Sequence, residues 1–114
     1  MAGASYKLSA TVFEHMDECT LAELSDGRVY LNMRNNHATQ CHCRAFATSA
    51  NGGESFGELK FDAALPSPVC QATLSTAGDS GALLFANPAD SGGGFATARI
   101  QGTIKKSLDN GKSE

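Results

Sequence analysis

The chain has 114 residues, with 12 acidic and 9 basic side chains, a formal charge of −3, 12 glycines, 4 cysteines and no tryptophan. That length accommodates one small domain or a piece of a larger one. Four arginines scattered singly make no basic stripe, so neither nucleic acid nor an anionic membrane surface is an expected partner.

No stretch approaches the ~20 apolar residues of a membrane helix. The first ten residues lack the charged and apolar regions of a signal peptide, so a soluble chain is expected, with no address to fix its compartment. A hydrophobic content of 41% with only 18% charged residues and many glycines fits short strands joined by turns.

Apolar and polar residues alternate over 19–24, 28–34 and 43–49, then around 69–75, 82–86 and 100–107. A period of two predicts half-buried strands. Turn formers break the pattern at Ser25-Asp26-Gly27, Asn51-Gly52-Gly53, Gly78-Asp79-Ser80-Gly81 and Asp109-Asn110-Gly111. No segment has a helical period, and an all-β antiparallel fold follows.

The cysteines are Cys19, Cys41, Cys43 and Cys70. Four cysteines allow two disulfides in three connectivities, but a Cys41–Cys43 bridge is not expected within one extended strand. Cys41, His42, Cys43 and Cys70, with His37 nearby, offer thiolate and imidazole for a zinc site. Without a paired C-x-x-C spacing, buried cysteines acting as small apolar residues are the better reading, and no metal or organic cofactor is expected.

One internal repeat sets the architecture. Residues 49–56 and 107–114 align without gaps at a spacing of 58, each reading Ser-x-(Asp/Asn)-x-Gly-x-Ser, with Phe56 closing the first copy and Glu114 the second. Self-similarity at such a period indicates stacked units. Asn or Asp bonds its own backbone two residues on, and Gly supplies the positive φ that the turn needs. The motif resembles the Asp box of β-propeller proteins, a structural hairpin to which no chemistry is assigned.

Propeller blades have four strands. One blade is expected over 16–64, with strands at 19–24, 28–34, 43–49 and 55–61. A second, incomplete blade is expected over 65–114, with strands near 69–75, 82–86 and 99–107. Two blades do not close a ring of the usual 4 to 8, so the remaining blades of a parent chain are expected partners.

The stretch from Asp17-Glu18-Cys19 through Gly27-Arg28-Val29-Tyr30-Leu31-Asn32-Met33-Arg34 is similar to the exo-α-sialidases, six-bladed propellers that remove terminal sialic acid. The similarity continues through Cys41-His42-Cys43-Arg44, Phe61-Asp62, Leu65-Pro66, Pro68-Val69-Cys70-Gln71 and Leu84-Phe85-Ala86-Asn87-Pro88-Ala89, over roughly residues 16–114.

The resemblance implies a retaining hydrolase of sialylated glycoconjugates. In such an enzyme Glu18 polarises a tyrosine nucleophile, and Arg34, 16 residues on, helps bind the sialic acid carboxylate. Arg99, in Arg99-Ile100-Gln101-Gly102-Thr103-Ile104, matches a second carboxylate-binding arginine, with Gln101 where Asn is usual. Guanidinium forks match the two oxygens of a planar carboxylate, and sialidases use a tyrosine where most glycosidases use a second carboxylate.

The resemblance also implies that the tyrosine, an acid/base aspartate and a further arginine lie outside this stretch, so the 114 residues alone are expected to be inactive. Relatives are secreted or lysosomal. Tyr6 and Tyr30 do not match the nucleophile, and His15, His37 and His42 match no family role. Glu23, Asp26, Arg28, Arg44 and Asp62 read as turn, surface or structural residues.

Strand parity places Glu18, Arg34 and Arg99 on one rim, with the long loops 35–40 and 87–98. The 25–27 hairpin and both repeat turns fall on the other. The reading that competes with the enzyme is a noncatalytic Asp-box propeller that binds glycan or protein.

Overall fold

Alternating residues between turn formers become strands that pair with their sequence neighbours. The computed structural model describes residues 3, 5–90 and 99–112, and in them seven strands form two antiparallel sheets. The first sheet runs β1 (Met16–Glu23), β2 (Val29–Asn35), β3 (Cys43–Ser49) and β4 (Lys60–Pro66). The second runs β5 (Thr73–Ala77), β6 (Ala82–Pro88) and β7 (Gly102–Ser107), with one short 3₁₀ turn at Gly78–Ser80.

The fold is all-β, in two successive antiparallel blades. The second has three strands among the described residues. No described helix is long and apolar enough to cross a membrane.

The alternation gives the first sheet two apolar faces. On one, Ala22, Leu24, Tyr30 and Leu65 pack against Ala72, Leu74, Leu83 and Phe85 of the second blade. Tyr30 and Phe46 stack there at 5.3 Å between ring centroids. On the other face, Met33, Ala45 and Ala47 are covered by Phe13, Met16, Phe56 and Phe61. The segment ahead of β1 is fastened over that face where Ala10 N–H donates to Glu54 O at 2.8 Å and Phe56 N–H to Thr11 Oγ1, also at 2.8 Å.

Contacts between the sheets fix their relative direction. Thr20 Oγ1 of β1 accepts from Leu74 N–H at 3.3 Å, and Thr76 Oγ1 donates to Glu23 O at 3.2 Å, so β1 and β5 run side by side in the same sense. The start of β1, the end of β2, the end of β6 and the start of β7 therefore share one rim. The opposite rim carries the hairpin turns, joined where Ser25 N–H donates to Asn110 Oδ1 at 3.1 Å.

Both Ser-x-(Asp/Asn)-x-Gly turns close by the same bonds. Ser49 Oγ accepts from Gly53 N–H at 2.9 Å and donates to Asn51 Oδ1 at 2.8 Å. Ser107 Oγ accepts from Gly111 N–H at 2.8 Å and donates to Asp109 Oδ1 at 2.8 Å. Gly53 and Gly111 have φ of 92° and 81°, the left-handed region where a Cβ is disfavoured. Phe56 packs against the first blade as the aromatic of its repeat, whereas Ser113 and Glu114 of the second copy lie outside the described residues.

Several strand boundaries differ from the expected ones: β1 begins at Met16 rather than 19 and β4 ends at Pro66 rather than 61, and three strands begin later than expected. The fourth strand begins at Lys60 rather than 55, because pairing slips between the Gly57–Thr48 hydrogen bond and the Phe46–Lys60 pair. That slip lets Phe56, Leu59 and Phe61 all reach the same apolar cluster.

The fifth strand begins at Thr73 rather than 69, since Val69 has φ 58° and the buried Val69, Cys70 and Ala72 form the connection between sheets. The last begins at Gly102 rather than 99, because Gln101 has φ 58°.

Asn51 Oδ1 also accepts from Ser55 N–H at 3.0 Å, and its Nδ2 donates to Ser55 Oγ at 2.8 Å. Asn51→Ala is expected to destabilise the protein by about 1–2 kcal/mol, the scale of a few net hydrogen bonds, as measured by denaturant unfolding.

Candidate functional site

The site begins with an irregularity in the β1–β2 ladder. Asp17 pairs with Arg34, yet the next pair is Cys19 with Met33, leaving Glu18 as the extra residue of a β-bulge. A bulge bends the strand and re-aims the side chains beside it. In consequence Glu18 Oε2 meets Arg34 Nη1, which donates to it at 2.6 Å.

Asp17 Oδ1 lies 3.6 Å from Arg34 Nε. That contact is electrostatic only, for Nε is buried and has no hydrogen-bond partner. The hydrogen bond to Glu18 is the main influence raising the Arg34 pKa, opposed by burial and helped by the charges of Glu18 and Asp17. Arg34 stays a cation at any physiological pH.

Behind this pair lies Arg44, fully buried. Its Nε donates to Asn32 Oδ1 at 2.7 Å, its Nη1 to Cys70 O at 2.7 Å, and its Nη2 to Glu18 O at 3.5 Å. Burial pulls its pKa down to about 10, which still leaves it charged at neutral pH. Arg44 is structural, as expected, but it lies in the core and braces the backbone of Glu18.

Arg99 lies on the same rim, three residues ahead of β7. It is exposed, and it has no hydrogen bond or ion pair among the described residues. The structure therefore brings Glu18 and Arg34 into contact and leaves Arg99 apart from them, in the approach to its strand rather than within it.

The neighbouring loop is clamped by Asn35, whose Nδ2 donates to Thr39 O at 2.8 Å and Cys41 O at 3.1 Å and whose Oδ1 accepts from Thr39 N–H at 3.0 Å. Within it His37 meets His15 at 4.2 Å between ring centroids. Of the second rim loop, 91–98 lies outside the described residues.

Cys41 and Cys43 form a disulfide, against expectation. Cys41 lies in a bend ahead of β3 and not in the strand, and the Cα atoms are 5.2 Å apart. An extended strand would hold them about 6.6 Å apart at two residues' rise. The bond also uses two of the three thiols that the zinc reading required, while Cys19 and Cys70 are free.

Sequence reasoning missed Asp17 at this site. Alternation puts consecutive residues on opposite faces, and nothing in the local sequence marks the bulge that brings Asp17 and Glu18 to one guanidinium.

These features define a β-propeller blade pair with an arginine held by carboxylates at one rim. No family model matches the chain. Over 119 aligned residues it is 37% identical to a sialidase of Micromonospora viridifaciens, with 97% of the chain aligned to 17% of that relative's length. A solved structure, the Hadza microbial sialidase Hz136, superposes with a TM-score of 0.64 at 29% identity, covering 87% of this chain and 19% of its own. The chain is a sialidase homologue, and it spans about a sixth of the length of the curated relative.

Arg44→Met would leave the buried Asn32 Oδ1 and Cys70 O without their donor. A loss of about 2–4 kcal/mol is expected from two orphaned acceptors, read as a lowered unfolding midpoint.

Proposed function

We propose that this chain is part of a retaining exo-α-sialidase that hydrolyses terminal sialic acids of glycoconjugates. Glu18 polarises a tyrosine nucleophile supplied from elsewhere in the protein. Arg34 and Arg99 bind the sialic acid carboxylate. The two repeat turns act as Asp boxes, and the two blades join others to close the propeller.

The observation that carries this reading is the Glu18–Arg34 contact of 2.6 Å at a β-bulge on the rim. One carboxylate oxygen is held by the guanidinium, which leaves the other to accept from a phenol. A guanidinium keeps N–H groups beyond the one used by Glu18, and these suit a planar carboxylate. Arg99 is exposed on the same rim.

The test is hydrolysis of a fluorogenic sialoside by the full-length protein that contains this chain, beside the 114-residue chain alone. Activity is expected only in the former. Glu18→Gln is expected to lower kcat at least ~100-fold, the scale of losing a general base. Arg34→Ala is expected to raise KM by about 10- to 100-fold, from the loss of hydrogen bonds to a charged group. An active protein indifferent to Glu18→Gln would refute the role given to Glu18, and inactivity in both forms would favour a noncatalytic glycan-binding or protein-binding propeller.

A further inference from the structure

Two consecutive carboxylates reach one guanidinium, and the proposed reaction uses only one of them. Glu18 engages Nη1 of Arg34 by a hydrogen bond, while Asp17, the register partner of Arg34 across the ladder, lies 3.6 Å from Nε. Nε is buried and hydrogen-bonded to nothing, so Asp17 is its one ion-pair partner among the described residues.

A guanidinium flanked at Nε and Nη1 is restrained in rotation about its own plane. Its Nη2 donors and the second N–H of Nη1 are left for an anion. The Arg34 side chain is only 18% exposed, against 46% for the Asp17 side chain. The arginine is therefore enclosed while the aspartate stands at the edge, where it guides without blocking.

We propose that Asp17 is a positioning residue for Arg34, holding the guanidinium across the bulge so that Nη2 is presented to the carboxylate of the ligand. This inference rests on the reading of Arg34 as a carboxylate receptor. Local charge agrees with it, because Asp17 and Glu18 balance Arg34 and the buried Arg44. The contribution of Asp17 is then to direction and not to attraction, since its own charge repels an incoming carboxylate.

The test uses steady-state kinetics of the full-length protein on a fluorogenic sialoside. Asp17→Ala is expected to raise KM about tenfold, the effect of roughly one misaligned charged hydrogen bond, with kcat changed less than about threefold. Asp17→Glu keeps the carboxylate charge and is expected to return KM to within about threefold of the parent, whereas Asp17→Asn, which loses the charge, is expected to behave as the alanine variant. Should Asp17→Ala not fold, Asp17→Ser, too short to reach Nε, carries the same expectation.

An unchanged KM in Asp17→Ala overturns the inference. So does an Asp17→Asn variant that behaves as the parent, or a fall in kcat at constant KM. If Arg34→Ala is itself silent, the receptor reading fails; if Arg34→Ala is impaired and Asp17→Ala is silent, only the present inference fails.

Discussion

The buried guanidinium of Arg44 is the interaction on which the arrangement of the two blades and the site depends. Taking a charge out of water is costly unless its donors are satisfied, and here each nitrogen finds an oxygen on a different element. Nε bonds Asn32 of β2, Nη1 the carbonyl of Cys70 in the inter-sheet connection, and Nη2 the carbonyl of Glu18 in β1. One side chain thereby ties together its own strand, two other strands of its sheet and the passage to the second blade.

The same contact explains why the bulge is held where it is. Glu18 is the residue left out of the β1–β2 pairing, and such a residue has lost its ladder partner. Its carbonyl is taken up by Arg44 from below, while its carboxylate is taken up by Arg34. Two guanidiniums in one region repel, and the charge of Arg34 helps lower the pKa of Arg44. Asp17 and Glu18 offset that repulsion, so the bulge that brings both carboxylates to Arg34 is also what makes the pair of arginines tolerable.

The two rims divide the work. At one, the hairpins are closed by short polar side chains bonding their own backbone, as in Ser49 and Ser107, each of which captures a glycine N–H four residues on. These turns are self-contained, and they were legible in the sequence because every bond in them is local. At the other rim the loops are longer, and the charged residues come from β1, β2 and the approach to β7. There the contacts join residues distant in sequence, as in Arg34 with Glu18, 16 positions apart.

By itself the sequence determined the all-β class, the alternation that builds six of the seven strands, the repeat turns, the shared rim and the pairing of Glu18 with Arg34 as candidates. The strands, turns and rim depend on period-two patterning and on turn chemistry within a few residues, which are written locally, whereas Glu18 and Arg34 were marked by the resemblance to the sialidases. Tertiary structure decided the rest: where β4, β5 and β7 begin, the bend that joins Cys41 to Cys43, the burial of Arg44, and the partnership of Asp17 with Arg34. A left-handed residue such as Val69 or Gln101 carries no sequence mark. A one-residue slip in pairing likewise costs little locally, and it is chosen because it packs Phe56, Leu59 and Phe61 against one cluster or turns Glu18 toward its arginine, outcomes that exist only once distant strands have met.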